Sequence, residues 1–360
     1  MKNTNTNTNT HTNDIQTKTA APITQIKLGI DVHADSYRVV RQLDQATPQP
    51  AQKFTPEQFL EFAASQLKQA REVHTCYEAG PFGYSLHRQL LALGIRNVVV
   101  RPQNWDEDGR GVKTDKTDAL ALVQRLDRYV QGNTKALAVI AIPTEAQEQA
   151  RTLSRRREQL QQDRQAHEAQ GRSLLLYYGY RIKGAWWHQL LWQRWQPKLP
   201  AWLVEVLESI RSQILNADGL LKALSLQIES QARPQAKGFG RLTTEGLRRE
   251  VFDWHRFKNR RQVASLTGMC PRIRSSGLKS LSGAINKHGN PRLRRLLVEL
   301  AWRVIRYQPD YKPVQRWREL LANRHTGGRK KAAVAIGRRL AIDIWRLETG
   351  RATAAQLNLH

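Results

Sequence analysis

Two periods of apolar residues run along this chain, and the switch between them divides it. Ile26–Val32 and Tyr37–Leu43 are short β-branched and aliphatic runs, which predict strands. Pro56–Ala70 moves to helical spacing through Phe59, Leu60, Phe62, Ala63 and Leu67. Val73–Tyr77 and the valine-rich Ile95–Arg101 predict two more strands, with a helix over Tyr84–Leu93 between them. Asp115 to about Val130 predicts another helix, with Thr114 at its N-cap. Strands alternating with helices imply an α/β domain over residues 23–135.

Past Pro143 the strand period disappears. Thr144 and Gln147 form a capping-box pattern, and a Gln-, Arg- and Glu-rich helix follows to about Leu176. Ala146, Ala150, Leu153, Leu160 and Leu174 keep a 4-3 register, but Arg157, Arg164, His167 and Gly171 share that seam. The seam predicts either a weak, dimerising coiled coil or a solvated spacer helix. A second long helix, roughly Ala201–Gln231, is expected to return antiparallel to the first. Residues 186–202 hold five tryptophans (Trp186, Trp187, Trp192, Trp195 and Trp202), for which a packed hinge between domains is preferred over stacking on bases. The domains expected are therefore a disordered Asn/Thr-rich tail at 1–22, the α/β domain at 23–135, a helical spacer at 144–232 and a helical domain at 233–350.

Composition adds a partner. The 360 residues carry a net charge of +27, and the excess is uneven. Residues 1–135 hold 17 basic and 14 acidic side chains, whereas 136–360 hold 41 and 17. A surplus confined to one part predicts a polyanion, and nucleic acid fits better than a membrane surface. No apolar run approaches the ~20 residues of a membrane span. Two cysteines, Cys76 and Cys270, allow neither a disulfide framework nor a four-cysteine zinc site, so a cytoplasmic location is expected.

Against that background four acids stand out. Asp31 ends the first strand in LGIDVH and Glu78 ends a later one in HTCYEAG. Asp115 and Asp118, in KTDKTDAL, lie three apart at a helix start and so face one side. Singly, each reads as a turn, cap or helix-dipole residue. Four carboxylates brought together need cations, and oxygen-only ligands favour Mg²⁺ or Mn²⁺. Two such ions would clamp the attacking and leaving oxygens of a phosphoryl transfer.

In their order, LGIDVH, CYEAGPFGY and KTDKTDAL resemble the Asp–Glu–Asp–Asp signature of the RuvC-like transposases of the insertion-sequence-110 family. Residues 261–295, RQVASLTGMCPRIRSSGLKSLSGAINKHGNPRLRR, resemble that family's C-terminal transposase domain. The resemblance covers about 23–350. It implies a ribonuclease-H/RuvC-like α/β domain with Mg²⁺ on Asp31, Glu78, Asp115 and Asp118, a coiled-coil spacer, and an all-α transposase domain. It also implies DNA strand exchange at element ends and target, guided by a structured, non-coding bridge RNA, in a homodimer or homotetramer assembled between protomers.

By itself, Ser275-Ser276-Gly277 after Pro271 reads as a turn. The resemblance makes the serine before the glycine, Ser276, the nucleophile that links covalently to DNA, with Ser275 its rival. Arg272, Arg274, Lys279, Lys287, His288, Asn290, Arg292, Arg294 and Arg295 gather basic and polar groups around this loop and a helix start, and Arg329-Lys330-Lys331 is a second phosphate candidate. Lys237-Gly238-Phe239-Gly240 stands where the family often has a Pro-Gly-hydrophobic-Gly hairpin; its glycines would let amides approach phosphate. Two other readings remain: a metal-dependent junction nuclease using water, and a non-catalytic nucleic-acid-binding protein.

Overall fold

A computed structural model describes residues 22–102, 115–233, 236–276, 279–323 and 326–360. The side chains of 115–117, 274–282 and 326 are outside the described set, as are Thr114 and nearly all of the expected tail. The chain forms two compact units, Met1–Ile142 and Pro143–His360.

The first unit contains strands β1 (Ile23–Val32), β2 (Tyr37–Leu43), β3 (Gln52–Phe54), β4 (Ala70–Glu78) and β5 (Arg96–Val100). Its helices are α1 (Pro56–Gln66), α2 (Ser85–Ala92) and α3 (Asp115–Val130). The sheet order is β3-β2-β1-β4-β5: β1–β2 and β2–β3 are antiparallel, β1–β4 and β4–β5 parallel. The sequence patterning missed β3, whose three residues are too short to show a period. It ran α1 on to Ala70, whereas a turn after Leu67 frees Ala70 to open β4.

Alternation along β1 divides the two faces. Ile26, Leu28 and Ile30 are buried in one core with Phe59, Ala63, Leu86 and Leu90 of α1 and α2. Lys27 and Gly29 face α3 instead: Lys27 Nζ is fully buried and pairs with Asp127 there. A methyl on Gly29 would collide with the Ala119 carbonyl and the Val123 amide, so α3 crosses the strand at backbone contact.

In the second unit, α4 (Glu145–Tyr177) and α6 (Ala201–Ser230) pack antiparallel, with the short α5 (Gln189–Trp195) between them. Thr144 and Gln147 close the expected capping box reciprocally. The two seam arginines have partners: Arg157 donates to Ser225 Oγ at 2.8 Å and Arg164 to Asp218 at 2.8 Å. At Gly171 a side chain would strike the Trp186 ring. Trp186, Trp187 and Trp192 are buried with Leu175, Leu203 and Leu207. They form the packed end of this helix pair, which corrects the expectation of an interdomain hinge: the two helices meet there, and their apolar ends need cover.

Helices α7 (Arg241–Val251), α8 (Arg260–Thr267), α9 (Pro291–Tyr307), α10 (Lys312–Arg316), α11 (Arg318–Ala322) and α12 (Thr326–Glu348) complete this unit. Leu293, Leu297, Leu300 and Val304 recur along one face of α9 and bury against Ile336 and Leu340 of α12. The expectation of an all-helical end needs correcting, because β6 (Pro271–Ser276) and β7 (Lys279–Ile285) form an antiparallel hairpin. Ser275 and Ser276 therefore sit in a strand, not a loop. Among the described residues no helix is long and apolar enough to cross a membrane.

Candidate active site and nucleic-acid surface

The first unit places Asp31 and Glu78 on one face of the sheet, the face covered by α3, which carries Asp118. Ile30 pairs with Tyr77 in the parallel β1–β4 register, so Asp31 and Glu78 follow at the same level on adjacent strands. Asp31 continues the Lys27–Gly29 face, and Glu78 shares its face with Cys76, whose thiol donates to the Leu122 carbonyl of α3 at 3.5 Å. Helix α3 runs opposite to β1, with Asp127 beside Lys27 and then Ala119 and Val123 beside Gly29. The next strand position on that face is Asp31, and the next turn of helix holds Asp118 and Asp115. Asp118 is described; the Asp115 side chain lies outside the described residues.

The set suits a hard divalent ion in chemistry, because every candidate ligand is a carboxylate. Asp31 Oδ2 is 3.0 Å from Nε2 of the half-exposed His33, a contact that no motif singles out. Among the described residues no three His, Cys, Asp or Glu side chains stand close enough to hold a metal. Cys76 takes no part as a nucleophile: burial, followed by the nearby Glu78 charge, pushes its thiol pKa well above the ordinary value.

The second unit carries the hairpin. Its register pairs Ser275 with Ser280 and Ser276 with Lys279, leaving residues 277 and 278 between the paired ends. The side chains of Arg274, Ser275, Ser276 and Lys279 lie outside the described residues; Arg272 is exposed. The base of the hairpin is tightly built. Asn286 N–H donates to the Cys270 carbonyl at 2.8 Å and Lys287 N–H to the Gly268 carbonyl at 3.0 Å. A methyl on Gly289 would overlap the Gly268 amide and the Leu266 carbonyl, so these two segments interlock at backbone distance. Lys287 takes a left-handed φ of 61° there and, like His288, is exposed.

Several expected phosphate ligands have partners within the chain. The Asn290 side chain caps α9 by accepting from the N–H groups of Arg292 and Leu293, and its Nδ2 donates to Glu250 at 2.9 Å. Arg292 and Arg295 both reach Glu158 of α4, at 3.1 and 2.8 Å. Arg294 donates to the Thr267 carbonyl at 3.2 Å. Lys237 N–H donates to the His360 carbonyl. At Gly238 and Gly240 the space a side chain would need is filled by Tyr307 and Arg303 of α9, so the glycines serve internal packing here. Arg329 and Lys330 are exposed, with the Arg329 guanidinium 6.0 Å from the Trp302 ring centroid.

Sequence reasoning missed Glu250 and Glu158. Glu250 is almost fully buried and takes a two-pronged bond from Arg155, at 2.8 and 3.0 Å. Burial works to raise its pKa, but hydrogen bonds from Arg155 and Asn290 outweigh it and hold the carboxyl below the ordinary value. The available signal was scarcity: acids deep in a strongly basic region need partners.

A five-stranded mixed sheet with carboxylates at adjacent strand ends and at a helix start fits the ribonuclease-H-like class of nucleic-acid enzymes. The DEDD transposase family of IS110 type matches residues 28–179, and the transposase IS116/IS110/IS902 family matches residues 234–315. A Sinorhizobium fredii protein, y4rJ, a transposase by name, is 30% identical over 305 residues, covering 75% of each chain. The transposase for insertion sequence element IS1111A of Coxiella burnetii is 29% identical over 294 residues, covering 74% of this chain and 75% of its own. The transposase for insertion sequence element IS1328 of Yersinia enterocolitica is 25% identical over 334 residues, covering 89% and 96%. The chain belongs to the IS110 family of insertion-sequence transposases. That membership implies a DNA-processing enzyme, and the DEDD domain suggests a divalent metal requirement.

Proposed function

We propose that this transposase cleaves and rejoins DNA through a covalent phosphoserine intermediate on Ser276, with Mg²⁺ or Mn²⁺ held by Asp31, Glu78, Asp115 and Asp118. The observation carrying the metal half is the shared sheet face of Asp31 and Glu78, against which α3 is pressed at Gly29. The serine half is supported by the family match over 234–315 and by the stiff hairpin base beneath Ser276. Divalent ions would stabilise charge developing on the phosphate oxygens.

In the proposed step Ser276 Oγ attacks the scissile phosphorus. An Oγ–P ester forms as the strand's own P–O bond breaks, and the proton released from Oγ to solvent is matched by one taken from solvent by the leaving oxygen, which departs as a hydroxyl. Because one phosphate ester replaces another, the reverse attack by a DNA hydroxyl reseals a strand without a nucleotide cofactor. Guidance by a structured bridge RNA, and assembly as a homodimer or homotetramer, are further parts of the proposal. They rest on the family resemblance and on the basic excess of residues 136–360.

Ser276→Ala is expected to abolish protein–DNA adducts trapped by denaturing electrophoresis, whereas Ser275→Ala retains them. Asp31→Asn is expected to abolish cleavage while DNA binding persists. Wild-type adduct from Ser276→Ala, or free 5′-phosphate ends without adduct, would transfer the reaction to a water-using nuclease. One discrete RNA copurifying with the protein would support guidance, and heterogeneous or absent RNA would remove it.

A further inference from the structure

We propose that the far end of the α4–α6 helix pair is a stacking platform for an unpaired DNA strand. Between Glu168 and Glu205 there is no acidic residue, while Arg172, Arg181, Lys183, Arg194 and Lys198 are basic. Arg172 is engaged internally, donating to Glu168 and to the Gly184 carbonyl. The other four are exposed.

Exposed aromatic residues neighbour these cations along the chain, with Arg181 three residues after Tyr178 and Lys198 four before Trp202. Tyr177, Tyr178 and Trp202 are 80%, 45% and 49% exposed. Their rings meet edge to face, with centroids 4.9 Å apart from Tyr177 to Tyr178 and 4.8 Å from Tyr178 to Trp202, so successive ring faces turn in different directions. The rings hold one another edge to face, and the buried tryptophans at this end of the helix pair are anchored separately. Trp186 Nε1 donates to the Glu168 carbonyl, and Arg211 donates to the Trp187 carbonyl and to Gln189 Oε1. A ring already fixed in place loses little freedom when a base lands on it.

The combination selects the occupant. An apolar protein face would cover the rings but leave the four exposed cations unmatched. A duplex would match the cations, but its bases are already stacked. An unpaired strand supplies phosphates for the cations and base faces for the rings. The choice of DNA rests on the transposase reading above; the platform itself involves neither Ser276 nor the four acids.

The test is fluorescence anisotropy of the full chain with labelled oligo(dT), oligo(U) and a DNA duplex, for the wild type, Tyr177→Ala, Trp202→Ala and Tyr177→Phe. Each alanine variant is expected to weaken oligo(dT) binding about 5- to 160-fold, following the ~1–3 kcal/mol contributed by one stacked base. Tyr177→Phe keeps the ring and is expected to bind as the wild type, and duplex binding is expected to stay unchanged. Arg194→Glu gives a second route that leaves every ring in place, with an expected loss of several-fold. Unchanged oligo(dT) binding in both alanine variants overturns the proposal. So does a loss confined to oligo(U), which assigns the platform to RNA. A dimer that the alanine variants dissociate without changing oligo(dT) binding assigns it to a second copy of the chain. Adduct formation by the Ser276→Ala protein reports on the transposase reading alone, so the two can fail separately.

Discussion

A methyl group on Gly29 would enter two backbone atoms of α3, the Ala119 carbonyl oxygen and the Val123 amide nitrogen, and neither can rotate aside. Gly29→Ala is therefore expected to cost about 3 kcal/mol, the upper end of the usual overpacking range. Because α3 must lift away from the strand that carries Asp31, cleavage should fall by more than the melting temperature suggests. Circular dichroism melts beside a cleavage assay check this; wild-type cleavage by a folded Gly29→Ala protein would refute the dependence on the crossing. Glu250 offers a pH prediction at the same scale. Its carboxyl is held below the ordinary glutamate value of 4.5, so its contribution to stability is fully present above that pH. It is lost as pH falls below 4.5 through the folded-state value. Glu250→Gln is expected to be less stable at pH 7 and to show a shallower loss on acidification, read from urea midpoints at pH 3–6. A parallel pH profile for the two proteins would remove Glu250 from the acid sensitivity. The sequence made Asp31 and Glu78 legible because strand ends announce themselves by apolar runs. Glu250 was not, since its burial depends on Arg155 and Asn290, 95 and 40 residues away.

Elements defined by local signals were read most closely. The strand Tyr37–Leu43 agrees residue for residue, and the Thr144–Gln147 box does start α4. The hairpin β6–β7 was not visible, because Pro271, the serines and Gly277 mimic a loop, and pairing across the two strands supplies what local propensity lacks. The α4–α9 contact was equally hidden, and it alters what the basic residues there can do. Glu158 of α4 holds both Arg292 and Arg295 at the start of α9, each about 45% exposed. An incoming DNA phosphate must compete with that carboxylate for the same donors. Glu158→Gln is thus expected to raise DNA affinity about 3- to 10-fold at low salt, with the gain shrinking as salt rises. If Arg292 and Arg295 serve only to dock α4, the substitution lowers stability and leaves affinity unchanged. Paired titrations and melts separate these outcomes.

Across the whole molecule, the charge asymmetry sets how binding must respond to salt. The net charge is +27, but not every cation is available for DNA: Arg155, Arg164 and Arg339 are held by Glu250, Asp218 and Asp343. The number of phosphates contacted must therefore fall well below the 41 basic side chains of residues 136–360. With six to ten contacts, affinity should drop about 10³- to 10⁵-fold between 50 and 200 mM salt. Exposed cations on the second unit should carry that slope. Arg329→Ala combined with Lys330→Ala is expected to reduce the slope of log affinity against log salt by about 1.8, since each phosphate contact contributes about 0.9. Asp31→Asn in the near-neutral first unit is expected to leave it unchanged. An unchanged slope in the Arg329/Lys330 double variant would move the phosphate contacts off the start of α12, and a slope altered by Asp31→Asn would place DNA against the acidic face before any metal has bound.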